Sequence, residues 1–350
     1  MVNTLSHLGV GILIALALGL RGKKLYVVAF LSVFPDMDII PYSAFISVSN
    51  SLTHEARNQF FYLCGHREFT HSIFFITLVT FFIWARTRDL IFTFGGFQSI
   101  LSHVYLDYIT TWKMRPFYPF STDASIIGAV SFYDPLLNLL PLLPFLIIFI
   151  TGLKKKGIMN EKFNKLYIFM NRSDDKLYAS MILVFLLLLT IMPVSKAFLI
   201  NHISETEEAQ ISYQNTYPES TNKFLTAYSF NSTYYKVMKI SYLDGTEKSE
   251  YVKKISINGS IPDAPGYIKR VKNLYSSGVP QEIDYPVYEV SEDNDHVIVT
   301  LSDARNPYTE NWAYFKSVYR FIFDKENREY QVYASVQGDN EEKLGKNWFR

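Results

Sequence analysis

The sequence predicts an α+β chain built in two unlike parts. A multi-pass helical membrane bundle of about six helices is expected over residues 1–200, and an extracytoplasmic β-rich domain over residues 201–350. Three observations carry this expectation. The long apolar stretches all fall before residue 201, so the mean hydropathy of +0.05 averages a greasy half and a polar, Tyr-rich one. The second half alternates apolar and polar residues with period two, the signature of half-buried strands. Basic residues are distributed unequally between alternate connections of the first half.

Six apolar segments run through the first half, at residues 8–20, 25–46, 72–85, 90–106, 136–152 and 177–200. Several are shorter than the ~20 residues that cross hydrocarbon unaided, so helices that shield one another are expected. Segment one is read as a helix and not a signal peptide, because its charges follow the apolar run. One set of connections holds Arg21, Lys23, Lys24, Arg86, Arg88, Lys154, Lys155, Lys156, Lys162, Lys165, Arg172 and Lys176. The other holds only Arg57, Arg67, Lys113 and Arg115. The richer set is assigned to the cytoplasm, which puts the amino terminus and residues 201–350 on the non-cytoplasmic side of a cell membrane.

Strands are expected in the second half at residues 234–243, 250–257, 296–301, 312–323 and 330–336, with turns at Asp244-Gly245 and Lys325-Glu326-Asn327. A small sandwich or curled antiparallel sheet follows. It shows no catalytic-looking group of His, Asp and Glu, so its expected role is to cover a site, bind a partner or recruit substrate.

Composition excludes several classes. A net charge of +1 gives no electrostatic case for nucleic acid. The single cysteine, Cys64, rules out an intramolecular disulfide and a cysteine-rich zinc site.

Seven potential metal ligands lie in four short clusters beside the apolar runs: His7; Asp36 and Asp38; His66 and His71; His103 and Asp107. Such groups are costly near hydrocarbon unless something compensates them, which points to a bound cation. His103 and Asp107, four apart, share one helical face. Pro35 bends or ends a helix beside two carboxylates that could converge on a cation. The stretch from His66 to His71 contains Arg67, whose guanidinium suits an anionic oxygen. Thr70 and Ser72 are expected to cap a helix or orient an imidazole. On the charge-derived topology all four clusters face the non-cytoplasmic side. His54, His202 and His296 receive no ligand role.

The clusters, in this order, resemble the membrane-bound metal-dependent hydrolase family of the YdjM type. The match runs through Ser6, His7 and Gly11, then Pro35-Asp36-Met37-Asp38, then His66-Arg67-Glu68-Phe69-Thr70-His71-Ser72, then His103 to Asp107, and a later element at Tyr118-Pro119-Phe120-Ser121. It covers about residues 1–150. The resemblance implies a divalent-metal site and hydrolytic activity with no defined substrate. The expected cofactor is one or two divalent ions, zinc foremost, acting on an ester or phosphoester of a membrane lipid or lipid-linked substrate. Asp36 or Asp38 would accept a proton, Arg67 would stabilise the oxyanion, and Asp134 is a further ligand or supporting residue. The rival is a non-enzymatic membrane protein with a structural or sensory metal.

Overall fold

The first half packs around α1 (Thr4–Ala17), ten of whose fourteen residues are buried. Two glycines let its neighbours approach: a Cβ on Gly9 would lie 1.9 Å from the Pro141 carbonyl oxygen, and one on Gly11 would lie 2.3 Å from Ser32 Oγ. The structure is a computed structural model that describes residues 4–155, 174–309, 311–326 and 329–345. After α1 come α2 (Lys23–Leu31), a 3-10 turn (Pro35–Asp38), α3 (Ile39–Ser49), α4 (His54–Cys64), α5 (Ile73–Thr87), α6 (Leu90–Ile109), α7 (Pro135–Leu139), α8 (Leu143–Lys155) and α9 (Asp174–Thr206). Lys156, Lys162, Lys165, Arg172 and Asn327, used above for topology and a turn, lie outside the described residues.

The expected six-helix membrane bundle is overturned. Among the described residues one helix is long and apolar enough to cross a membrane, Lys176–Thr206 of α9. A second exists only if α2 and the Pro35–Ser49 stretch, bent by 58°, are one broken span. The reason is local chemistry that run length does not register. Helices α1 and α5, with 14 and 15 residues, rise only ~21–23 Å against a hydrocarbon thickness of ~30 Å. Pro35 and Pro141 force 3-10 turns into the second and fifth apolar runs. Ser72 caps α5 at its start, accepting from Phe75 N at 3.1 Å, and Arg88 ends it in the left-handed conformation. Helix α6 has 20 residues but buries Ser99, His103 and Asp107.

Helix α9 buries only 17% of its apolar window, and Leu183, Leu186, Leu187, Ile191 and Phe198 stay exposed. A soluble core helix would hide that surface; one in lipid would not. Pro193 interrupts it. Proline has no N–H, so the Leu189 carbonyl four residues earlier loses its helical donor, and Tyr105 of α6 supplies the replacement, its hydroxyl donating at 3.0 Å.

Two sheets form the second half. One is antiparallel, in the order β1 (Tyr217–Pro218), β2 (Lys223–Ser229), β3 (Tyr234–Ser241), β4 (Gly245–Lys253). The other has six strands: β5 (Ile255–Ile257), β6 (Pro286–Glu292), β7 (His296–Asp303), β8 (Ser317–Asp324), β9 (Tyr330–Val336) and β10 (Asp339–Lys343), with β5 parallel to β6 and the rest antiparallel. Strand β2 is buried on both faces. Phe224 and Tyr228 pack with Leu199, Ile200 and Ile203 at the end of α9, while Leu225 and Ala227 join Val287 and Phe315. A helix the alternation did not announce, α10 (Ala264–Ser277), covers the larger sheet, its Val271 among Val290, Val299 and Phe321.

Charged groups tie the halves together. Arg115 donates to Glu68 Oε1 at 2.6 Å, to the Thr122 carbonyl at 2.7 Å and across to the Val279 carbonyl at 2.9 Å. Lys113 meets Asp284, which also receives Arg305 at 2.7 Å. Burial pushes the Asp284 carboxyl up, but Arg305 and Lys113 outweigh it and hold it below the usual carboxylate range.

The Leu189 carbonyl provides a direct test of the α6–α9 contact. Tyr105→Phe leaves it without a donor at a buried position and is expected to lower stability by about 1–2 kcal/mol, read from denaturation of the detergent-solubilised protein.

Candidate metal centre

Each cluster is placed by a break in the backbone. The 3-10 turn after α2 presents Asp36 and Asp38, the 3-10 turn Phe69–His71 presents His71, and the last turns of α6 present His103 and Asp107. His7 projects from the first turn of α1. All seven predicted ligand residues meet in one region.

Four of them form its centre. Asp36, His71, His103 and Asp107 offer ligand atoms that all lie within 4.8 Å of one another, and this group could hold a metal ion. His71 Nε2 and His103 Nε2 are 3.1 Å apart, His103 Nε2 and Asp36 Oδ1 3.4 Å, and His71 Nε2 and Asp107 Oδ2 3.6 Å. Tetrahedral zinc with bonds of ~2.0–2.1 Å spaces its ligand atoms by about 3.3 Å.

Hydrogen bonding also fits a cation. His103 Nδ1 lies 2.7 Å from the Ser32 carbonyl, an acceptor only, so Nδ1 carries a proton and Nε2 is left to face the group. On His71, Nδ1 lies 3.0 Å from Thr70 Oγ1 and 3.4 Å from Asp38 Oδ2, which leaves its Nε2 to face that of His103. Asp36 Oδ1 and both oxygens of Asp107 are buried without a hydrogen-bond partner. Buried acceptors facing each other in this way are stable only around something positive.

The remaining predicted residues lie around this centre. His7 Nε2 is 3.4 Å from Asp107 Oδ1, and its ring lies 4.0 Å from that of His103. Asp38 is occupied by neighbours: His66 Nδ1 is 2.6 Å from Oδ1, while Thr70 Oγ1 and the Arg67 backbone N–H donate to Oδ2. Arg67 adopts a positive φ of 69°, unusual for a side-chain-bearing residue, and the bond to Asp38 helps hold it there. Its guanidinium is fully buried, 2.9 Å from Asp107 Oδ2 through Nε and 4.5 Å from the centre of the Trp112 ring, and none of its three nitrogens has a well-aligned acceptor. Burial pushes the Glu68 carboxyl up to about 7 against the pull of Arg115.

Asp134 belongs elsewhere. It caps α7, accepting from Leu136 N and Leu137 N, and receives the Thr221 hydroxyl at 2.8 Å. His54 contacts the second half, with Nε2 3.0 Å from the Ser277 carbonyl. Sequence reasoning missed Ser32, Trp112 and the Glu68–Arg115 pair. Ser32 acts through its backbone and has no sequence signal. Glu68 stood inside the His66–Ser72 motif, and Arg115 had been counted only as a topological charge.

The site and the α9 anchor define a membrane-associated protein with a buried two-histidine, two-carboxylate site. The profile of the family described as YdjM inner membrane protein matches residues 1–198, more than half of the chain, and the chain belongs to that family. The match extends beyond the motif region near residue 150 and takes in most of α9, while the two sheets lie outside it. No curated protein and no solved structure matches the chain.

Purified protein is expected to carry about one divalent ion per chain, measured by mass spectrometry, and His103→Ala to lower that content at least about tenfold.

Proposed function

We propose that this chain is a metal-dependent hydrolase of lipid-linked phosphoesters, with zinc as its ion, working at the non-cytoplasmic face of the membrane. The observation that carries this reading is Arg67: a buried guanidinium without aligned acceptors, beside a four-ligand group, is built for an anion that arrives next to the metal. Two imidazoles and carboxylates suit zinc. His71, His103 and Asp107, all fully buried, would hold it, with Asp36 beside it, while Asp38 and His66 orient His71 and the loop. When bound, the ion supplies Lewis acidity and lowers the pKa of its water to roughly 7.

The chain's residues divide the remaining work. Arg67 binds phosphate oxygens and opposes the charge that builds on them. Asp36 takes a water proton, since it is the only member of the central group with solvent access, its side chain 17% exposed. Asp38 was an equal candidate for that step, but its lone pairs are engaged by His66, Thr70 and Arg67, which makes it a positioning residue. In the net reaction a water oxygen bonds to phosphorus, the ester P–O bond breaks, and the departing alcohol leaves with a proton.

Orientation follows from α9. Six basic residues from Lys154 to Arg172 precede it and Lys176 lies in its first turn, while Glu205 is in its last turn and Glu207 and Glu208 follow it, so its start is assigned to the cytoplasm and the sheets at its far end to the other side. His66, bonded to Asp38 beside the metal centre, lines a cleft shared with those sheets, and the centre is assigned to their side.

Arg67→Lys is expected to lower metal-dependent turnover of bis(p-nitrophenyl) phosphate and phosphatidic acid vesicles by about 10²-fold while metal content is retained. No turnover by wild type across a broad phosphoester panel would sink the hydrolase reading. For orientation, Leu243→Cys in a Cys64→Ser background is expected to react with impermeant maleimide on sealed right-side-out vesicles, as Leu243 is 82% exposed. Protection there, with labelling only after lysis, reverses the assignment.

A further inference from the structure

The loop that follows α6 holds two large apolar side chains outward while the rest of it is tied down. Phe117 is 57% exposed and Phe120 83%. Arg115 fixes the start of the loop to Glu68, the Pro116 carbonyl accepts from Ile73 N at 2.8 Å, and Phe120 N and Ser121 N both donate to the Phe117 carbonyl. Tyr118, between the two phenylalanines, stacks on Tyr62 with ring centres 5.6 Å apart. Fraying therefore does not account for the exposure: ordered contacts hold the two rings out. They continue onto α5, where Phe120 meets Phe74 edge to face at 6.1 Å and both Ile73 and Phe74 are exposed. A contiguous apolar patch of this kind marks a contact with protein or with membrane.

Two observations select the membrane. The first is depth. Tyr105 stands on α6 between His103 and Asp107 and bonds the Leu189 carbonyl of α9 at 3.0 Å. At ~1.5 Å per residue, Leu189 is about 20 Å along the helix from Lys176, past the middle of a ~30 Å hydrocarbon layer. The last turns of α6, the His71 turn that meets Asp107, and the loop bonded to Ile73 thus stand level with the apolar span of α9, in its half nearer the sheets. The second is a change of polarity along the loop itself. Past Phe120 the chain becomes Ser121, Thr122 and Asp123, and there it meets the β-rich half, Ala124 N donating to Gln281 Oε1 at 2.8 Å. Within a few residues the loop passes from an apolar tip on α5 to a polar stretch against the other half, the succession of environments found at a bilayer boundary.

We propose that the Phe117–Phe120 loop is a lipid-inserted wedge, its two phenylalanines lying among the acyl chains of the leaflet nearer the sheets, beside the turn that carries His71. The occupant of this surface is bilayer lipid. The proposal requires α9 to lie in the membrane and does not rest on the hydrolase reading.

Depth-dependent quenching in the full-length protein tests it. The protein is reconstituted into vesicles of phosphatidylcholine and phosphatidylglycerol that carry a nitroxide on either the acyl chain or the head group. In a Cys64→Ser background, a small fluorophore is attached to Phe117→Cys or Phe120→Cys. Two further sites give the limits: Ile191→Cys on the exposed face of α9, and Asn294→Cys in the exposed β6–β7 turn, at the end of β6 away from the Lys113–Asp284 pair. Metal content checks the fold of each variant. The acyl-chain nitroxide is expected to quench both loop labels at least about twofold more than the Asn294→Cys label, and more than the head-group nitroxide does. Quenching at the loop no greater than at Asn294→Cys, while Ile191→Cys is quenched, overturns the wedge. Protection of the loop from acyl-chain nitroxide and aqueous iodide alike means that protein covers it, and overturns the wedge as well. Absence of quenching at Ile191→Cys overturns the lipid placement of α9 instead, so the two failures are distinguishable.

Discussion

Two imidazole nitrogens facing each other 3.1 Å apart are the constraint on which the first half of this protein depends. With His103 Nδ1 committed to the Ser32 carbonyl, Nε2 presents a lone pair toward His71, and Asp36 and Asp107 add further acceptors. The cluster holds three carboxylates, those of Asp36, Asp38 and Asp107, and one guanidinium, that of Arg67, which lies against Asp107. With neutral imidazoles the excess is two negative charges, which is the charge a divalent ion carries. An uncompensated buried charge costs several kcal/mol, so the helices that converge here are held together or pushed apart according to whether a cation joins them.

The same constraint accounts for the short helices. To bring four sequence-distant clusters to one point, the chain must stop or bend a helix beside each: at Pro35, at Ser72, at the end of α6 and at the beginning of α1. A run of apolar residues that continues through such a break still counts as a membrane segment by hydropathy. This is why the residues of the site could be read from the sequence while the number of crossings could not. His103 and Asp107 are legible because helical periodicity fixes which face they share. Pro35 announces a break, but not that the chain beyond it turns by 58°.

Legibility fails where the backbone or a distant segment supplies the partner. The Ser32 carbonyl orients His103 and could be any residue's. His54 has no distinguishing neighbours in sequence and finds its use against Ser277, more than two hundred residues away. Asp134 looks like a ligand beside Pro135, yet proline at the first helical position makes the preceding carboxylate a cap, which is what it becomes. In the second half, period-two alternation located strands at the core of each sheet but had nothing to say about α10. That helix has an amphipathic pattern, polar overall, in a region dominated by strand-like neighbours.

The contact between the halves is divided by chemistry. Far from the metal centre the contact is apolar: Leu199, Ile200 and Ile203 of α9 meet β2 and β3, and Ile126 enters the cluster of Tyr217 and Phe315. Such burial is non-directional and supplies attraction wherever the surfaces fit. Around the cleft the stack of Trp112 on Trp312 is joined by polar contacts from Arg115, Lys113 and His54, each bonded to a specific acceptor across the gap. Directional bonds tolerate little sliding and add little net attraction, because they replace bonds to water. Polar contacts there, with the Trp112–Trp312 stack and apolar contacts at a distance, fix the register of the two halves around the cleft.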